Sequence, residues 1–270
     1  MVKPFALNIL RVGFSLLLFW AAWLFSPSPA RIKKEHLFRF LLCGLTGVAI
    51  NQTFFIKGLT LTSTVHASLL ILATPLLISI IAIWALKEAL TIYKVAGLVL
   101  GIGGSVLLVL NKESAAHAEN YLLGDLLILI NAISYTFYFM LVKPLMEQYT
   151  PLQVIRWVFT FGLLMILPFG WHELTAVNWS TFNTLHAVSL AGVVVLGTFL
   201  AYVFNAYGIH HLGAGTTGSY IYTQPVFAVL IATFTLNESL SWHKVAAALL
   251  IFSGVYLVSF KKKKPAALLQ

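Results

Sequence analysis

The chain has 270 residues, 60% apolar and 9% charged, with 17 Lys and Arg against 8 Asp and Glu. A soluble domain carries about a quarter charged residues and must cover its surface with polar groups, so a water-soluble globule is excluded and the apolar excess calls for lipid. The single Cys43 rules out a disulfide framework within the chain, and no Cys/His spacing fits a structural zinc site. The basic residues lie between apolar segments and in Lys261–Lys264 rather than on one amphipathic face, which points to anionic lipid and away from nucleic acid as the partner.

A helix rising about 1.5 Å per residue needs about 20 apolar residues to cross the bilayer core. In chain order the apolar runs predict nine such helices: α1 near 5–25, α2 37–56, α3 66–86, α4 92–110, α5 123–146, α6 152–170, α7 185–206, α8 214–236 and α9 243–260. Connections are short, so no soluble domain is expected. A signal-peptide reading of α1 is disfavoured by its weak basic start and by Arg11 inside the apolar run.

Polar residues within these helices are the candidate site. In α1, Arg11 is an intramembrane charge; it is read first as an anchor to neighbouring carbonyls, although such a charge also marks function. Helix α2 offers Asn51 and Gln52, and α3 offers Thr74 and the mid-helix Pro75, with His66 read as a solvated helix end. Helix α5 carries Asn131, Ser134, Tyr135 and Tyr138 at the spacing of one helix face. Thr198, Tyr202 and Asn205 repeat that stripe in α7, and Tyr220, Thr223 and Gln224 in α8, just ahead of Pro225. The bland reading is that these groups bond helix to helix; three stripes together favour a solute path. Pro75 and Pro225 each remove one backbone hydrogen bond, and serve either as hinges or as packing kinks. Glu88 and Glu238, each three residues before Thr91 or Ser241, read as turn-forming, and Asp125 as a carboxylate at the dipole of the α5 start. Gly97, Gly101 and Gly104 on α4, with Ala247 and Gly254 on α9, form small-residue faces that let another helix approach, in the chain or in a homodimer.

Positive charge sets the orientation. With the C-terminus inside, Arg31, Lys33, Lys34, Arg39, Lys87, Lys94, Lys143, Arg156 and Lys261–Lys264 fall on the inner side, against Lys3, Lys57, Lys112 and Lys244 outside. The N-terminus is expected outside and the C-terminus in the cytoplasm.

Displacing the sequence by 150 residues aligns Gly47 with Gly197, Phe54 with Phe204, Gly58 with Gly208, Pro75 with Pro225, Glu88 with Glu238, Lys94 with Lys244 and Gly104 with Gly254. Helices α2–α4 thus pair with α7–α9, and Arg11 of α1 pairs with Arg156 of α6 at an offset of 145. Such an internal duplication, with an odd number of helices per copy, inverts the second copy in the membrane. Helix α5 has no counterpart; one is expected ahead of Met1. The expected fold is all-α and integral to the membrane, about nine transmembrane helices in two inverted repeats of four plus five. The repeats are residues 1–115 and 120–262, and 263–270 form a cytoplasmic tail.

Pro4 followed by Arg11, TSTVHASLL (Thr62–Leu70), Pro75 ahead of LKEAL (Leu86–Leu90), GDLL (Gly124–Leu127) and Pro225 ahead of LNESL (Leu236–Leu240) together resemble EamA-type members of the drug/metabolite transporter superfamily. The resemblance spans nearly the whole chain. It implies the ten-helix drug/metabolite transporter fold, here without its first helix, with helices α2, α3, α5, α7 and α8 around a central cavity. It also implies export of small metabolites across the bacterial inner membrane. The Gly of the family's Leu-Gly-Glu pattern is Lys87 in one copy and Asn237 in the other, read as a loop change of little consequence.

An enzyme is not expected, since no HExxH, GxSxG, P-loop or paired intramembrane carboxylates occur; no metal or cofactor is expected either. The expected activity is alternating-access transport of a small polar solute such as an amino acid, and the rival reading is a truncated, non-transporting scaffold of the same family. No acid lies in mid-membrane, so nothing supports a proton relay.

Overall fold

In a computed structural model, residues 2–25, 31–62, 64–85, 87, 90–110, 120–224, 226–227 and 242–259 are described. Nine helical rods run through them. They are α1 (Pro4–Leu24), α2 (Leu37–Gly44, then Leu45–Ala49, then Ile50–Leu59), α3 (Thr64–Trp84), α4 (Ile92–Leu110), α5 (Tyr121–Met146), α6 (Pro151–Thr175), α7 (Thr184–Val194, Val195–Leu200, Ala201–Leu212), α8 (Ala214–Ser219, tightening to 3-10 geometry over Tyr220–Thr223) and α9 (Trp242–Ser259). Five stretches of the described residues are long and apolar enough to cross a bilayer, and three shorter apolar helices lie in α3, α4 and α9. The protein is an all-α, multi-pass membrane protein.

Local chemistry sets the helix ends. Pro4 and Pro151 open α1 and α6, where a missing N–H costs nothing. The Asn120, Thr150 and Asn183 side chains cap α5, α6 and α7. Thr91 Oγ1 accepts from Lys94 N at 3.2 Å and caps α4. The N–H groups of Phe5 and Ala6 find their acceptor on another helix, Glu173 Oε2 of α6, at 2.9 and 3.3 Å. Gly213 turns α7 sharply into α8 at φ 90°, open to glycine without strain.

Two helix pairs carry the inversion. Phe5 meets the Glu173 end of α6 while Trp20 bonds Thr160, so α1 and α6 run antiparallel. Gly97 abuts the backbone of Gly254, and Gly104 that of Ala247, so α4 and α9 are antiparallel too. Adding 150 to one member of each contact and subtracting it from the other interconverts these two α4–α9 contacts, as a twofold-like relation requires. The small-residue faces of α4 and α9 therefore meet each other inside one chain, leaving these glycines no surface for a homodimer.

Both copies break α-helical register at the same place, by one π-turn at Leu45–Ala49 and another at Val195–Leu200. A π-turn closes bonds from i to i+5 and leaves carbonyls turned away from the helix. The main core, with Phe19, Phe40, Tyr138, Val158 and Phe159, lies among α1, α2, α5, α6 and α7. A smaller one, around Tyr222, Ala247 and Ile251, joins α4, α8 and α9.

Candidate functional site

Main-chain carbonyls in the first π-turn, at Thr46 and Gly47, and just beyond it, at Asn51, receive the polar side chains of the bundle. Ser134 Oγ of α5 donates to Thr46 O at 2.8 Å, and Asn131 Nδ2 donates to Asn51 O at 2.6 Å. Tyr202 Oη of α7 donates to Gly47 O at 3.4 Å and accepts from Gln52 Nε2 at 3.0 Å. Gln52 Oε1 in turn accepts from Arg11 Nη2 at 2.7 Å, and the same Nη2 donates to Asn8 Oδ1 at 3.1 Å. A chain of polar contacts thus runs from α1 through α2 to α7. Gln52 is 3% exposed.

Gln52 and Tyr202 are 150 residues apart, the offset of the duplication. A residue that touches its own equivalent in the other copy must lie on the axis relating them, so this bond marks the centre of the pseudo-symmetric bundle. Tyr135 stacks on Tyr138 with ring centroids 5.8 Å apart, and the Tyr138 ring lies against Gly47, where any side chain would collide with it. The Asn205 carboxamide adjoins the Tyr135 hydroxyl. Asn51, Gln52, Asn131, Tyr135, Tyr138, Tyr202 and Asn205 are therefore brought together, well inside α2, α5 and α7.

The remaining candidates stand apart from this network. Thr74 and Pro75 are buried in an unbroken α3, outside the hydrogen bonds of the cluster. On α8, Tyr220 is 46% exposed, Gln224 is exposed, and Thr223 Oγ1 donates to its own helix at Tyr220 O, 2.7 Å away. The buried tyrosine of α8 is Tyr222, set against Gly101 of α4. Pro225, Glu88 and Glu238 lie outside the described residues, as does the side chain of His66. Asp125 accepts from Thr62 Oγ1, and Gly124 lets α5 press on the backbone at Leu61–Thr62, so the GD pair holds the α2–α3 turn to the start of α5.

Two site features were not singled out from sequence. Asn8 enters through Arg11, and through Thr53 Oγ1, to which its Nδ2 donates at 3.4 Å; only its spacing from Arg11, three residues on one helix face, hinted at this. The π-turns have no residue signature beyond the recurrence of Gly47 as Gly197. Lys87 corrects an expectation: its φ of 53° is left-handed, a conformation that favours glycine, so a lysine here strains the loop and is not without consequence.

The EamA-like transporter family matches residues 1–110 and 122–260. The chain belongs to that family. Among curated relatives of this EamA protein, an uncharacterized transporter of Archaeoglobus fulgidus is 25% identical over 97% of this chain and 89% of its own length. The uncharacterized transporter YetK of Bacillus subtilis is 26% identical over 88% of this chain and 72% of its own. A probable terminal-alkyne amino-acid exporter of Streptantibioticus cattleyicolor is 27% identical over 85% of this chain and 75% of its own. A solved crystal structure superposes with a TM-score of 0.78 at 20% identity, covering 95% of this chain and 87% of the other, which establishes the shared fold. This EamA protein is accordingly a membrane transporter by family, with the drug/metabolite transporter fold.

Proposed function

We propose that this protein exports small metabolites of the amino-acid type across the bacterial inner membrane by alternating access, with its C-terminus in the cytoplasm. The observation that carries this reading is the Gln52–Tyr202 bond between equivalent positions of two inverted copies. A solute bound on that axis meets the same two walls whichever side is open, which is the geometry alternating access requires. Asn51, Gln52, Asn131, Tyr135, Tyr138, Tyr202 and Asn205 form the solute site in this reading. Thr74, Tyr220, Thr223 and Gln224 line its approaches, with Pro75 and Pro225 as hinges. Tyrosine hydroxyls and carboxamides supply both donors and acceptors, suited to a zwitterion, and the S. cattleyicolor relative named as an amino-acid exporter supports that solute class.

Counterflow in proteoliposomes tests it, using Tyr135→Phe, Asn205→Ala and Gln224→Ala with a panel of amino acids and thermal melting on the same samples. A lost solute hydrogen bond costs ~1–3 kcal/mol, about 5- to 150-fold in affinity, whereas a purely interhelical bond costs ~0.6 kcal/mol of stability. Losses of uptake that merely track melting, in all three variants, overturn the site. No saturable uptake by the unmodified protein favours the scaffold reading. Reporters fused after Gln270 are expected to read as cytoplasmic; an external reading reverses the orientation.

A further inference from the structure

Three buried polar atoms in the central cluster have no hydrogen-bond partner: Arg11 Nε, Tyr138 Oη and Asn205 Oδ1. Buried polar groups are almost always satisfied, and each exception calls for a physical reason. Arg11 is the most demanding of the three, because it is a full charge about 10 Å along a membrane helix that begins at Pro4. No carboxylate among the described residues pairs with it. Its neighbours Asn8 and Gln52 offer neutral amide oxygens, and both bonds go to Nη2. Those two bonds clamp the guanidinium plane and leave Nε unspent. The related Arg156 is treated differently: its guanidinium lies over the rings of Trp20 and Trp23, 4.5 and 4.7 Å from their centroids, so aromatic faces supply the attraction there.

We propose that Arg11 receives the carboxylate of the transported solute, which accepts from Nε and supplies the counter-charge that the protein leaves out. This rests on the transport reading above and narrows its solute class to molecules bearing a free carboxylate. A guanidinium held in a fixed plane favours a carboxylate over a neutral amide, because the single bond from Nε is then charge-assisted and the anion neutralises the buried cation. Asn205 Oδ1, an acceptor with no donor, suits the N–H end of the same solute. An unmet donor and an unmet acceptor in one cluster match a molecule that carries both.

The test is competition in proteoliposomes between free amino acids and their amides, such as leucine with leucinamide and phenylalanine with phenylalaninamide, against labelled amino acid. Melting temperatures of the same preparations are read with and without each competitor. The unmodified protein is expected to prefer the acids by about 10- to 100-fold, and Arg11→Gln to bring acid and amide within about twofold of each other. Should Arg11→Gln not fold, Arg11→Lys keeps the charge but not the Nε donor, and is expected to lose several-fold of the preference. Arg156→Lys is expected to leave the preference unchanged. An undiminished acid preference in Arg11→Gln or Arg11→Lys, or none in the unmodified protein, overturns the assignment while transport stands. Absence of saturable uptake of any solute by the unmodified protein overturns the transport reading itself.

Discussion

The two π-turns occupy equivalent places in the duplicated sequence and differ in what surrounds them. At Leu45–Ala49 the released carbonyls are claimed from two other helices, by Ser134 of α5 and Tyr202 of α7, and the Tyr138 ring closes over Gly47. At Val195–Leu200 the carbonyls of Val193 and Val194 are taken by Thr198 and by Ser15 of α1, and nothing lies within reach of a side chain at Gly197. The same backbone device thus anchors a packed, polar centre in one copy, whereas in the other it bonds Ser15 and Thr198 and leaves Gly197 facing open space. Helix α5, through Ser134 and Tyr138, supplies much of the difference. The paired arginines divide along the same line, Arg11 among amides and a phenol and Arg156 on indole faces.

Substitutions at matched positions sharpen or break this contrast. Gly47→Ala drives a methyl into the Tyr138 ring and is expected to cost ~1–3 kcal/mol. Gly197→Ala enters open space and is expected to be neutral or to gain up to ~1 kcal/mol from helix propensity. Equal melting shifts for the two would erase the distinction between closed and open turns. Next, Trp20→Leu removes one of the rings under Arg156 and the indole bond to Thr160, and is expected to lower stability by ~2 kcal/mol. Its solute preference is expected to stay as it was. Gln52→Leu is expected to behave the other way, with weakened uptake outweighing the loss of stability; matching profiles for the two variants would show that both arginines are mere anchors. The smallest effect is expected at the loop. Lys87→Gly relieves a left-handed residue and is expected to stabilise by ~1 kcal/mol, with Lys87→Asn recovering part of that. A lower melting temperature for Lys87→Gly would show that the lysine side chain contributes more than its backbone costs.

Composition and run length sufficed to find the long apolar helices, because lipid demands about 20 consecutive apolar residues and little else does; the expected α8 over 228–236 lies outside the described residues. The displacement by 150 was equally visible, since it needs only identities. The polar cluster was legible on α5 and α7, where polar residues at helical spacing interrupt apolar faces. On α8 the same spacing leads outside that cluster: Thr223 satisfies itself on its own turn, and Tyr220 lies half exposed while Tyr222 is buried. The 3-10 winding of Tyr220–Thr223 keeps residues three apart on one face but turns those four apart away from each other, so Gln224 leaves the face that α-helical periodicity draws with Tyr220. Arg11 was visible as a charge but not as a member of the polar cluster, because Gln52, and through it Tyr202, are brought to it by tertiary packing across 41 and 191 positions of chain. The registers that turned carbonyls toward Ser134 and Tyr202 follow from which helices meet, and no single segment encodes that.

The bond on the axis also bears on how such a bundle acquires chemistry. If two identical chains met about this axis, the position now held by Gln52 would face its own copy, glutamine against glutamine or tyrosine against tyrosine. A carboxamide opposed to a phenol is a hetero-pair, and identical subunits cannot present one. Joining the copies in a single polypeptide lets each side mutate alone, so the centre can hold an orientated, donor-to-acceptor arrangement where perfect symmetry would enforce a mirror of likes. Covalent fusion, on this view, is what makes a directional recognition surface available at the one point both halves share.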